Sequence, residues 1–184
     1  TQDDAIVIYD NMFTQKGIQG YGGILGNDTF YGFFKEEGKA KLVSGGRYRP
    51  FTLLMFATEW EIFGRSPFIG HLINVILFGL LGVALFALLN LLFKKSKKIN
   101  KKQFLAFVAV ILFVCHPIHT EAVANIKGRD EIMTMLGSVI ALWSMLKYFD
   151  TKITRFLIIS VVSYFIALMS KENAITFLAV LPLS

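Results

Sequence analysis

The chain has 184 residues, 54% of them apolar and 17% charged, with a formal net charge of +6 and a mean hydropathy of +0.57. Soluble domains carry an apolar share of about 45–50% even with glycine counted, so disorder, collagen-like repeats and a nucleic-acid-binding domain are excluded in spite of the positive charge. The apolar residues stand in long runs, as in a membrane protein, and the lone Cys115 has no partner for an intramolecular disulfide.

Residues 1–66 are mixed and polar, and nine of the 15 glycines fall between Gly17 and Gly46. Asp3 and Asp4 are adjacent carboxylates in a loop, suited to a general base or a metal ligand, or to a solvated turn or helix cap. The glycine-rich stretch 17–26 lacks a P-loop or dinucleotide fingerprint and reads as a loop. Asn27-Asp28-Thr29 fits the N-glycosylation pattern, which is frequent by chance. Arg47-Tyr48-Arg49-Pro50 leads into residues 51–63, an expected amphipathic helix with Trp60 that is suited to the membrane interface. Its arginines are placed to meet lipid phosphates or a phosphorylated donor.

From Pro67 on, the spacing predicts transmembrane helices over about 68–93, 103–119, 131–149 and 156–170, with a fifth beginning at 174–184. The second is short unless it continues through His116-Pro117-Ile118-His119. Because the ends fall in a polar and an apolar stretch, the 184 residues read as a piece of a larger membrane protein. Residues 94–102 hold six lysines and no acid, which marks a cytoplasmic loop. Alternation then puts residues 116–131 and 171–173 outside and 150–155 inside. The two inner segments, with Lys147, carry nine basic residues and one acid, and the remainder carries ten and 12. The positive balance is therefore a topology signal. Asp3-Asp4, residues 47–50, 116–131 and 170–173 all fall on the non-cytoplasmic side, as an active site at a membrane surface requires.

The densest polar stretch is His116, His119, Glu121, Asn125, Lys127, Arg129, Asp130 and Glu131. Glu121 and Asn125 share a helix face. Zinc is disfavoured because Pro117 interrupts the pairing of the histidines. Anion binding fits better, with Arg129 and Lys127 beside the histidines gripping a phosphate. The alternative is that these groups sit in the headgroup layer. Lys171-Glu172 reads as an interfacial ion pair.

Arg49-Pro50-Phe51-Thr52, Gly70-His71-Leu72-Ile73-Asn74-Val75, His116-Pro117-Ile118-His119-Thr120-Glu121-Ala122-Val123-Ala124 and Ser170-Lys171-Glu172 occur in this order. Together they resemble the membrane part of the transmembrane and tetratricopeptide-repeat O-mannosyltransferases and their bacterial relatives. That family has Arg-Pro-Leu, His-Leu-x-Asn, His-Pro-x-His-x-Glu-Ala-Val and Ser-Lys-Glu elements after an acidic pair. The resemblance covers most of the chain, with Phe51 where leucine is usual. It implies an all-α polytopic membrane protein of the GT-C glycosyltransferase type, with residues 1–66 as an extracytoplasmic first loop and 67–184 as transmembrane helices.

The activity implied is transfer of a mannose-like sugar from a polyprenyl- or dolichyl-phosphate donor to a Ser/Thr hydroxyl of an acceptor protein, on the periplasmic or lumenal face. Asp3 or Asp4 would be the base. His116, His119, Arg129, Arg49 and Lys171 would stabilise the donor phosphate, and Glu121 and Glu172 would orient them. Mg or Mn at Asp3-Asp4 is an option that such enzymes do not all use. The partners implied are the lipid-linked donor, the acceptor protein and membrane lipids, with no nucleic acid. The family's first helix and tetratricopeptide repeats are expected outside these residues, so the segment alone is expected to be inactive. Two rival readings fit the same composition: a non-catalytic lipid-handling or transport protein, and an assembly subunit docking through Gly79 and Gly82.

Overall fold

Long apolar runs without an internal proline favour helices. The computed structural model, which describes residues 4–34, 47–95 and 101–179, has only helices and turns as regular structure among them. The first segment holds a π turn at Ala5–Tyr9, a 3-10 stretch at Thr14–Gly20 and the short helices α1 (Tyr21–Gly26) and α2 (Tyr31–Phe34). Then come α3 (Pro50–Phe63), α4 (Pro67–Lys95), α5 (Lys102–Val114), α6 (Thr120–Ala124), α7 (Arg129–Thr151) and α8 (Thr154–Ser170). Pro50 and Pro67 both open a helix, where a missing N–H costs nothing. Asp3 lies outside the described residues, as does most of the lysine-rich loop.

Helices α4 and α7 are each long and apolar enough to cross a membrane. The second apolar run departs from a single span over 103–119. Helix α5 stops at Val114, and the chain turns by 50° into Pro117–Ala124. Pro117 is the cause, since the residue before a proline is driven out of the helical region, and His116 is extended with ψ 127°. The fourth run is a helix of 17 residues. The fifth begins as a 3-10 segment, Glu172–Ala179.

Two apolar clusters hold these elements. Leu81, Leu88 and Leu91 of α4 pack on Leu136, Val139, Leu142 and Leu146 of α7, whose spacing of three to four residues is one helix face. Val7, Ile8, Ile24, Phe30, Leu53, Phe56 and Ala57 form the second cluster, which Ile126 joins from the loop before α7. Helices α7 and α8 lie closest. Gly137 faces the Ser163 carbonyl, where a Cβ would stand 2.7 Å away, and the buried Ser160 hydroxyl donates to the Ala141 carbonyl at 2.8 Å.

Helix α8 returns alongside α7, with Thr134 Oγ1 3.5 Å from the Ala167 carbonyl. Helix α5 returns alongside α4, with Phe78 and Phe113 stacked at 6.2 Å. The starts of α4 and α7 and the ends of α5 and α8 therefore share one end of the bundle. Lys94, Lys102, Thr151 and Thr154 mark the other end, about 30 Å away along α7 at 1.5 Å per residue.

Candidate functional site

At the polar end, a cleft of 680 Å³ opens between residues 47–49, the stretch 118–131 and residues 171–173. Arg49, His119, Glu121, Lys171 and Glu172 all line it. Three segments far apart in sequence thus meet at one place, because Pro117 turns the chain across the mouth of the bundle and α8 ends beside the first turn of α7.

The charges in the cleft are largely paired with one another. Arg49, 8% exposed, donates from Nε and Nη2 to the Glu172 carboxylate at 2.9 and 2.8 Å, and from Nη1 to Asp130 at 2.6 Å. Burial disfavours the charged guanidinium, but the hydrogen bond to Glu172 and the charge of Asp130 outweigh it and raise the Arg49 pKa. The same fork draws Glu172 down to about 2, against the smaller effect of burial. Lys171 is paired with Glu131. Arg47, exposed on the rim, and Lys127 complete four cations against Glu121, Asp130, Glu131 and Glu172. The cleft is near neutral overall, and its donors are held in place by carboxylates.

Asp4 is not among the residues lining the cleft; it is 3% exposed, and its Oδ1 accepts the backbone N–H of Lys127 at 2.8 Å. Lys127 lines the cleft, so the carboxylate is tied to the cleft's own backbone. His119 is shared with a second groove of 480 Å³, mostly apolar, that also takes in His71, Phe78 and His116. His116 is exposed and its Nδ1 accepts the Ile118 N–H at 3.2 Å, which caps the 3-10 turn. The two imidazoles stand 6.3 Å apart, and His119 lies against Phe113 at 4.3 Å. Among the described residues, no three His, Cys, Asp or Glu side chains are placed to share a metal ion.

Arg129 is not among the residues lining the cleft. It is completely buried, paired with the Glu59 carboxylate, and donates to Asn74 Oδ1 at 2.9 Å and the Gly70 carbonyl at 3.1 Å. The Phe56 ring lies 4.5 Å from its guanidinium carbon. Burial raises the Glu59 pKa, with Arg129 pulling against it. This knot joins α3, α4 and the start of α7, and sequence reasoning missed Glu59 altogether. A partial signal existed: a carboxylate in an otherwise apolar stretch of helix and an arginine at the mouth of a span each need a partner once buried.

Asn27-Asp28-Thr29 is also used internally. Thr29 is 6% exposed, and its hydroxyl accepts the Arg49 N–H at 3.0 Å. The glycosylation-like pattern thus anchors the segment that carries Arg49.

No family model and no solved structure matches the chain. Among curated proteins, it is similar to Protein O-mannosyl-transferase TMTC1 of Homo sapiens, 34% identical over 95% of this chain and 20% of that protein. Protein O-mannosyl-transferase TMTC2 of Mus musculus is 34% identical over 57% of this chain and 12% of that protein. Protein O-mannosyl-transferase TMTC3 of the same species is 30% identical over 70% and 14%. The chain thus spans a fifth or less of these relatives' length.

Proposed function

By sequence the chain belongs with the transmembrane and tetratricopeptide-repeat protein O-mannosyl-transferases, and on that premise we propose that it contributes the catalytic face of a GT-C membrane glycosyltransferase. The reaction moves a mannose-like sugar from a polyprenyl- or dolichyl-phosphate to a Ser/Thr hydroxyl of an acceptor protein, on the non-cytoplasmic side. The observation that carries this reading is the meeting of Arg49, His119, Glu121, Lys171 and Glu172 in one cleft, with the buried Asp4 carboxylate bonded to the backbone of its lining residue Lys127. Lys94, Lys102 and Lys152 lie at the opposite end of the helices, as expected if that end faces the cytoplasm.

In this mechanism the acceptor oxygen attacks the anomeric carbon, and the bond from that carbon to the phosphate oxygen breaks. The bonding electrons leave with the lipid phosphate. Asp4, with Asp3 beside it in sequence, takes the hydroxyl proton. Arg49, Lys171 and His119 face the departing phosphate and stabilise its charge, and His116 borders the groove that receives the lipid. Glu172 and Glu131 hold the first two cations in position, and Glu121 orients His119. Mg or Mn, where the reaction uses one, would be held by Asp3 and Asp4 and would add charge neutralisation there. Arg129 takes no part in phosphate binding in this scheme; its donors serve the buried knot.

The test is transfer of mannose from a polyprenyl-phosphate donor to an acceptor protein by the full-length protein in liposomes. Asp4→Asn is expected to lower kcat about 100-fold or more with donor binding retained. Wild-type transfer by Asp4→Asn and Asp3→Asn alike would remove the base assignment, whereas lipid binding with no transfer by the wild-type protein would leave a lipid-binding or assembly role instead.

A further inference from the structure

The mechanism above leaves unused the buried amide of Asn74, which is 0% exposed on α4. Its Nδ2 lies 2.8 Å from the Asn125 carbonyl, 3.3 Å from that of Ile126 and 3.5 Å from that of Val123. Its Oδ1 is occupied by Arg129 Nε, so the amide can present only its N–H groups to the backbone. Those carbonyls belong to the end of α6 and the link between α6 and α7, where those of Asn125 and Ile126 also accept the backbone N–H groups of Gly128 and Arg129 at 3.0 and 3.2 Å. Gly70, one turn before Asn74, packs against Ile126 so closely that a Cβ would stand 2.9 Å from its Cγ2. The link is therefore held from α4 by one side chain and one bare backbone face.

The next N–H along this link, that of Lys127, goes to Asp4 Oδ1 at 2.8 Å. A continuous chain of bonds runs from α4 through Asn74, the carbonyls of residues 125 and 126 and the Lys127 N–H to the carboxylate. We propose that Asn74 is a positioning residue for sugar transfer, setting through residues 125–127 where the Asp4 carboxylate stands. This rests on Asp4 being the base. The motif Gly70-His71-Leu72-Ile73-Asn74 thereby acquires a task in the reaction without touching either substrate. Arg129 and Glu59 serve the same end by fixing the amide's orientation, since the guanidinium accepts nothing and forces Oδ1 towards itself.

A core-packing role and a positioning role differ in what they do to folded enzyme. In the full-length protein, Asn74→Asp keeps an oxygen for Arg129 and removes the N–H donors, while Asn74→Ser shortens the arm. Monodisperse protein of either variant is expected to show kcat lowered about 100-fold, the cost of a misplacement of about 1 Å. KM for donor and acceptor should stay within about twofold. In an Asp4→Asn background, the Asn74 change should cost little more, since groups acting as one unit are not additive. Wild-type kcat in either variant, or a full additional loss beyond Asp4→Asn, would overturn the proposal while leaving Asp4 as the base. Wild-type transfer by Asp4→Asn would remove the base assignment and this inference together.

Discussion

Arg49 and Glu172, 123 residues apart, form a two-pronged ion pair in which Nε and Nη2 of one side chain meet both carboxylate oxygens of the other at 2.9 and 2.8 Å. The pair closes the cleft at the end of α8, and the third arm of the same guanidinium reaches Asp130 at the start of α7. Two chain segments that share no helix are thereby pinned together by one arginine.

The pH dependence of this clasp follows from the depressed value of Glu172. Its folded pKa, about 2, lies below the ordinary 4.5. The contribution is therefore complete above 4.5 and is lost as pH falls through that value towards 2. Glu172 is half exposed, so solvent screening keeps the effect to about 1 kcal/mol or less. Thermal melts of detergent-purified protein between pH 6 and pH 3 should show a steeper loss in the wild type than in Glu172→Gln. Equal slopes would mean the clasp contributes nothing.

The Arg129–Glu59 pair should behave differently, because both partners are taken out of water. Removing one partner leaves an uncompensated buried charge, which costs about 3–5 kcal/mol. Glu59→Gln and Arg129→Met are each expected to reduce the yield of folded, monodisperse protein sharply. The double substitution Glu59→Met with Arg129→Met should recover part of that loss, since it leaves no lone charge. Size-exclusion profiles of the extracted proteins decide the matter, and a double variant worse than both singles contradicts the pairing.

These two arginines also show what the sequence reveals and what it hides. Arg49, Lys171, Glu172, Glu121 and His119 share a cleft, and their motifs had marked them as a group. The start of α4 at Pro67 and its end among lysines were legible from hydropathy and charge alone. Arg129 was legible as functional polarity but not as a buried group, because its partner Glu59 is 70 residues away and helical periodicity carries no information at that range. Asn74 stood in the Gly70–Val75 motif without a role attached to it; its role depends on where the link before α7 lands. The break at His116 was signalled by Pro117, whereas the 50° bend depends on packing that spacing does not encode.

Helix contact makes a further contrast between two glycines. At Gly137 an added Cβ would lie 2.7 Å from the Ser163 carbonyl and 3.0 Å from the Ala167 Cβ, whereas at Gly79 nothing lies within 4 Å. Both are interior to helices, where alanine alone is favoured over glycine by about 1 kcal/mol. Gly137→Ala should nevertheless destabilise by about 1–3 kcal/mol, since α7 and α8 must separate to admit the methyl group. Gly79→Ala should be neutral or slightly stabilising. Paired melting curves test this, and a stabilised Gly137→Ala would mean that the two helices are not so close.

The opposed ends of the bundle bear directly on the proposed side of the chemistry. Thr154, at the start of α8, and Glu121, on α6, are both exposed and sit at opposite ends of the helices. Neither replacement by cysteine removes a basic residue, so the charge bias that sets orientation is kept. With the exposed Cys115 changed to serine, Thr154→Cys should react with a membrane-impermeant maleimide only after the cytoplasmic side is opened. Glu121→Cys should react in intact cells or sealed lumen-out vesicles. Inverted labelling would place the cleft in the cytoplasm, where a sugar on a lipid phosphate facing the other way is out of reach. Labelling of both from one side would mean that α7 does not cross the bilayer, and the cleft would lose the separation from the lysine-rich loops on which its assignment depends.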